Sequence, residues 1–222
     1  MKKLQFLWLF ALIFVCTNTL ATNYYVATNG NDSNSGTSIS SPFKTLQKAI
    51  EAVSAGDYIY VRGGTHVMTT SSVVIQKNGT SGANIHVFAY NSENPVLQFD
   101  DTENSSSRGI VMDGNYWHWQ GIIIEKAGDN GMLLSGNNNT IENCIFRKNH
   151  DTGLQLSRYS TDADQISEWP SNNLILGCEA YDNSDSDHED ADGFAAKLTC
   201  GTGNVFEDCV SHHNIYDGWD LY

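Results

Sequence analysis

The sequence predicts an all-β fold: a right-handed parallel β-helix, with short strands wound into a solenoid behind an N-terminal strand-helix cap. Three observations point there. First, a motif recurs three times, at residues 139–149 around Cys144, 173–183 around Cys178 and 204–214 around Cys209. In each copy the cysteine lies five residues from an asparagine on either side, and Gly153, Gly193 or Gly218 follows. Second, the steps between Gly121, Cys144, Cys178 and Cys209 are 23, 34 and 31 residues. Polar insertions at 157–171 and 184–189 account for the longer two. A period in the low twenties suits a solenoid, and the regular leucines of a leucine-rich repeat are missing. Third, Asn149, Asn183 and Asn214 recur at matched turns, as a ladder of stacked side-chain amides requires. A β-sandwich has no reason to match Asn, Cys, Asn and Gly three times over.

The elements follow in order. Residues 1–21 read as a secretory leader, with Lys2 and Lys3 at the start and an apolar run at 7–15 too short to span a bilayer comfortably. Thr19-Leu20-Ala21 supplies a cleavage site. Residues 22–64 form the expected cap. The stretch 24–28 alternates as a strand, and 29–36 is a turn-rich loop. Leu46, Ala49, Ile50 and Val53 then recur at helical spacing before Gly56 closes the helix, and 57–61 is the next strand. Residues 65–222 are the coils, with strands expected at 72–75, 85–89, 96–99, 109–112, 117–119, 122–124, 132–134, 141–146, 154–156, 174–176, 194–196 and 205–206. No second helical pattern appears. The pattern stops inside a coil, so the chain is expected to be part of a longer protein.

Outside the leader, 10 basic residues face 26 acidic ones, a net charge of −16. Nucleic acid and anionic membranes are therefore not expected partners. An acidic surface fits simple solubility, or divalent-cation binding where acids gather at particular turns. The remaining length suits one domain with a sizeable core, expected to act as a monomer outside the cytoplasm. Cys144, Cys178 and Cys209 at matched positions read as an interior stack of buried thiols rather than bridges. Trp117 and Trp119 sit at strand positions and read as core. Adjacent His212 and His213 are expected on opposite faces, with no paired metal site.

Matching positions of adjacent coils lie side by side, so Asp192 and Asp217 should sit roughly 5 Å apart. Asp220 follows Asp217 by three residues. Spacing alone leaves two readings: solvated turn acids, or carboxylates whose repulsion is relieved by a hard divalent cation such as Ca2+. Here the residues reach a family. Ala191-Asp-Gly-Phe-Ala-Ala-Lys-Leu-Thr199, Gly203-Asn-Val-Phe206 and Asp217-Gly-Trp-Asp-Leu221 resemble polysaccharide lyase family 9, the pectate lyases built on a parallel β-helix.

The resemblance implies calcium held by Asp192, Asp217 and Asp220, and β-elimination on polygalacturonate, an acidic polysaccharide. Tyr216 stands where the family pattern has a further acid. The family's base is a lysine on a coil beyond the Gly-Trp-Asp motif, which no position here matches. Lys197 is the candidate within reach of the acids, so this polypeptide alone is expected to turn over slowly or not at all. The alternative is a β-helix that binds acidic polysaccharide without cleaving it.

Overall fold

A computed structural model of the protein describes residues 20–99 and 103–221. Most of the expected leader, residues 1–19, lies outside them. Three parallel sheets of seven, six and six strands wrap one interior. Each coil contributes one short strand to each sheet in turn. The fourth coil, for example, runs Thr140–Glu142, Ile145–Arg147 and Leu154–Leu156. Its register against the next coil is in phase, with Ile141 opposite Ile175, Phe146 opposite Ala180 and Leu154 opposite Phe194. This is the right-handed β-helix expected from the repeat.

Stacking in phase puts like residues in columns. Ile59, Val87, Trp119, Ile141 and Ile175 form one interior column of the first sheet, all fully buried. Leu97, Ile124, Phe146 and Ala180 form its counterpart in the second sheet. Each large side chain so buried contributes about 1.5–3 kcal/mol. In the third sheet the three-residue strands turn both ends inward, as Leu154 and Leu156 show, and the central residue outward.

The corners repeat as closely as the strands. Gly121, Asn143, Gly177 and Asp208 turn from first to second sheet with φ between 49° and 71°. Lys126, Lys148, Asp182 and His213 turn from second to third with φ between 56° and 59°. One left-handed residue per corner bends the chain without a long loop. The residue after the first corner points inward, which stacks Ile122, Cys144, Cys178 and Cys209. All four described cysteines are free thiols, and Cys144 and Cys178 are buried. The adjoining Cys144 thiol, with burial, pushes the Cys178 thiol above its ordinary range.

Two amide ladders satisfy the corner backbone. In the expected one, Asn149 Nδ2 donates to Asn183 Oδ1 at 2.9 Å, and Asn183 Nδ2 to Asn214 Oδ1 at 2.8 Å. A second runs through Asn139, Asn173 and Asn204 at the entry to the first sheet. There Trp117 N donates to Asn139 Oδ1, Asn139 N to Asn173 Oδ1, and Asn173 N to Asn204 Oδ1, at 2.8, 2.9 and 3.0 Å.

At the start, strand Asn23–Val26 pairs with Tyr58–Val61, and helix Leu46–Ala52 packs Leu46, Ala49 and Ile50 against the interior. Thr45 caps the helix, and Asp32 accepts from Lys44 N and Thr45 N. At the other end, Val205, Val210 and Leu221 on the last described strands are exposed by 47%, 54% and 60%. Among the described residues no helix is long and apolar enough to cross a membrane.

Candidate active site

The acidic turns lie where the chain passes from the second sheet to the third. Gly131 N donates to Thr152 O, Gly153 N to Asp192 O, and Gly193 N to Asp217 O, each at 3.0 Å. These bonds align Thr152, Asp192 and Asp217 in one column. The glycines beside it are required by close packing of stacked backbones: a Cβ on Gly153 would meet Gly193 O at 2.7 Å, and one on Gly193 would meet Gly218 O at 2.8 Å.

Asp192 is fully buried and Asp220 nearly so, whereas Asp217 is exposed. Asp220 is the central, outward residue of strand Trp219–Leu221, in register with Ala195. Asp192 Oδ1 accepts from the backbone N–H of Asp217 at 3.2 Å. Lys197, one residue beyond strand Phe194–Ala196, turns back so that its ammonium ion-pairs with Asp220 and lies 3.4 Å from Asp192 Oδ2. Thr152 Oγ1 also reaches Asp192 Oδ2, at 3.5 Å.

Lys197 was the lysine expected within reach of the acids, and the structure sets its ammonium against two of them, with its side chain only 28% exposed. Burial, reinforced by Asp220, raises the Asp192 carboxyl above the ordinary carboxylate range, while Lys197 and the Asp217 N–H oppose that rise. Burial alone would depress Lys197, but its hydrogen bond to Asp220 and the charge of Asp192 outweigh it, so the ammonium is held above its ordinary range. Such a group is a proton holder rather than a base.

The donor set suits a hard cation. Asp192 and Asp220 offer buried carboxylate oxygens, Asp217 lies on the adjacent turn, and a positive charge already sits between the first two. Among the described residues, no three acidic, histidine or cysteine side chains are already arranged around one metal position. Any cation bound between Asp192 and Asp220 would have to displace the Lys197 ammonium.

Other residues fall differently. Trp117 and Trp119 are core. Arg147 pairs with Glu125 at 2.7 Å and Tyr181 at 3.0 Å, and Arg158 donates to Ala163 O. The expectation that His212 and His213 point to opposite faces is corrected. Their Nδ1 atoms are 2.6 Å apart, because φ of 56° at His213 breaks the strand alternation. A cavity of about 420 Å3 beside the helix, bordered by Lys44, His66 and Val73, lies away from the acidic corner.

One acidic pair escaped the repeat alignment. Asp129 and Asp151 each stand two residues before a column glycine, Gly131 or Gly153, the offset at which Tyr216 precedes Gly218. That shared offset was the available signal. Burial, with Asp129 as hydrogen-bond partner and neighbouring charge, pushes Asp151 from 3.8 up to about 8. Native Asp151 thus keeps a proton that the unfolded chain has already lost between those pH values, so stability falls as pH rises through that window. In chelator, the wild-type urea midpoint should drop between pH 5 and pH 8, by an equivalent of a few kcal/mol. Asp151→Asn should flatten that drop, and an unchanged slope would show that Asp151 does not hold the proton.

Most of the chain finds relatives. The sequence matches the family described as "Pel9A-like, right handed beta helix region" over residues 24–222. It belongs to this Pel9A-like β-helix family. Pectate lyase L of Paenibacillus polymyxa (strain SC2) is 50% identical over 210 residues, covering 93% of this chain and 46% of that protein. Pectate lyase L of Thermoclostridium stercorarium is 43% identical over 90% of this chain and 16% of its own length. Among solved structures, pectate lyase Pel9A superposes with a TM-score of 0.82 at 33% identity, covering 91% of this chain and 50% of that one. A rhamnogalacturonan lyase superposes at 0.69 and 27% identity, covering 90% and 54%. The chain spans about half the length, or less, of these relatives.

Proposed function

We propose that this chain forms the calcium-binding part of a pectate lyase that acts outside the cytoplasm, cleaving polygalacturonate by β-elimination. The observation that carries the reading is the buried pair Asp192 and Asp220 on adjacent coils, already holding a positive charge between them. Asp192, Asp217 and Asp220 would hold Ca2+, the hard cation their oxygens suit. Calcium, when bound, would neutralise the uronate carboxylate and make the C5 proton more acidic. It also fits the charge balance, since a chain of formal charge −14 and a polyanion repel.

Lys197 is the proposed proton acceptor within this chain. While its ammonium rests on Asp192 and Asp220 it stays charged, and an acceptor must be neutral. Activity from Lys197 therefore requires the carboxylates to exchange it for another cation. Until then turnover is slow.

The test is polygalacturonate with the purified chain, followed by the absorbance of unsaturated uronate. The expected result is slow, calcium-dependent product formation that Asp192→Asn abolishes. Calcium-dependent retention on immobilised polygalacturonate without product would support the binding module instead. New reducing ends without unsaturated product would point to hydrolysis by paired carboxylates. Absence of product and of retention alike would sink the reading.

A further inference from the structure

A second acidic site lies at the same corner, over earlier coils. The insertion at 184–189, with Asp190 after it, leaves its own coil and folds back. Ser186 N and Oγ donate to Glu103 at 2.7 and 2.8 Å, across 83 residues of sequence. This carries Asp185, Asp187 and Asp190 over Asp129 and Asp151. Together with Glu103 they line a cavity of about 130 Å3.

Two features of this cavity are unfinished. Asp185 is 9% exposed, yet its Oδ1 has no hydrogen-bond partner, while its Oδ2 accepts from Glu189 N at 3.2 Å. A buried carboxylate oxygen left unpaired is costly. The wall also gathers six carboxylates. Arg108, 3.3 Å from Asp129 Oδ2, offsets only part of that charge. Folding an acidic loop onto an acidic pair is unfavourable unless a cation joins them.

We propose that this cavity is a second divalent-cation site, in which Asp129 and Asp151 from the coils and Asp185 from the insertion clamp the loop onto the solenoid. The volume suits an ion that keeps some of its water, a water molecule taking about 30 Å3 of liquid. The side chains do not yet converge as ligands, so binding draws the loop inward. The site is separate from Asp192, Asp217 and Asp220, and stands or falls independently of catalysis.

Calcium binding to the full chain can be counted by equilibrium dialysis. Asp185→Asn and Asp151→Asn should each remove one calcium per chain while leaving the ion that Asp192→Asn removes. Both relieve repulsion in the metal-free protein, so they are expected to fold. The wild type gives an independent reading: calcium should slow proteolytic cleavage within 184–190 at least tenfold. Unchanged stoichiometry and affinity in both variants would overturn the site, and so would cleavage of that segment indifferent to calcium.

Discussion

Lys197→Met should destabilise the metal-free chain by about 3–5 kcal/mol and tighten its hold on calcium at the same time. The first half follows from burial. Asp192 is fully buried and Asp220 nearly so, and the Lys197 ammonium is the charge placed between them. Removing one partner of such a group strands the other charges in a poorly solvated place, which costs about that much. The pH range of the loss can be stated. The folded Lys197 is raised above its ordinary 10.5, so its contribution is complete below that value and disappears as pH rises through the folded one. Urea midpoints of wild type and variant in chelator should therefore differ fully at pH 9, and the gap should narrow toward pH 6, because without Lys197 the Asp192 carboxyl takes up a proton more readily.

The second half follows from competition. A cation entering between Asp192 and Asp220 must displace the ammonium, and the methionine presents nothing to displace. Calcium should bind Lys197→Met about tenfold tighter or more, and restore most of the lost stability. Lys197→Arg keeps the charge and should fall near wild type in chelator. Weaker calcium binding to Lys197→Met would place the ion elsewhere and remove the main support for the acidic pair as its site.

How much of this was legible beforehand depends on what a repeat records. Strand positions were readable because the in-phase stacking repeats its inward residues, so Ile141, Ile175 and the cysteine column declare themselves at fixed offsets. The ladder at Asn149, Asn183 and Asn214 was readable for the same reason. The corner residues were not. Lys126, Lys148 and His213 adopt positive φ although their side chains disfavour it, and this is what brings His212 against His213. The site was half readable. Asp192 and Asp217 align by the glycine that follows each. The direction taken by Lys197 is decided by the burial of two acids, which spacing does not convey. The return of the 184–190 loop to Glu103 depends on contacts 83 residues apart, and no local pattern marks it.

The other large effect belongs to the ladder. Asn183→Ala should cost about 3–5 kcal/mol, because one fully buried side chain serves several backbone and side-chain groups. Its Oδ1 accepts from Asn149 N at 3.1 Å and Asn149 Nδ2 at 2.9 Å, and its Nδ2 donates to Asn214 Oδ1 at 2.8 Å and Phe146 O at 3.3 Å. Alanine leaves those groups unpaired where Asn183 is completely shielded from water, and each stranded group costs about 1–3 kcal/mol. Water cannot easily replace the amide, because its partners Asn149 and Phe146 are themselves buried. Asn204→Ala is the control. Asn204 is a rung of the other ladder but half-buried on the last described coil, so water can take its place and the cost should be about 1 kcal/mol. Asn183→Asp separates hydrogen bonding from shape. It keeps the acceptor for Asn149 but turns a second oxygen toward Phe146 O, so it should be severe at neutral pH and milder in acid, where a protonated carboxyl donates again. Denaturation midpoints of the three variants at pH 4 and pH 7 decide this. Equal costs for Asn183→Ala and Asn204→Ala would mean that the glycine column and the apolar stack, rather than the amides, hold the acidic corner in register.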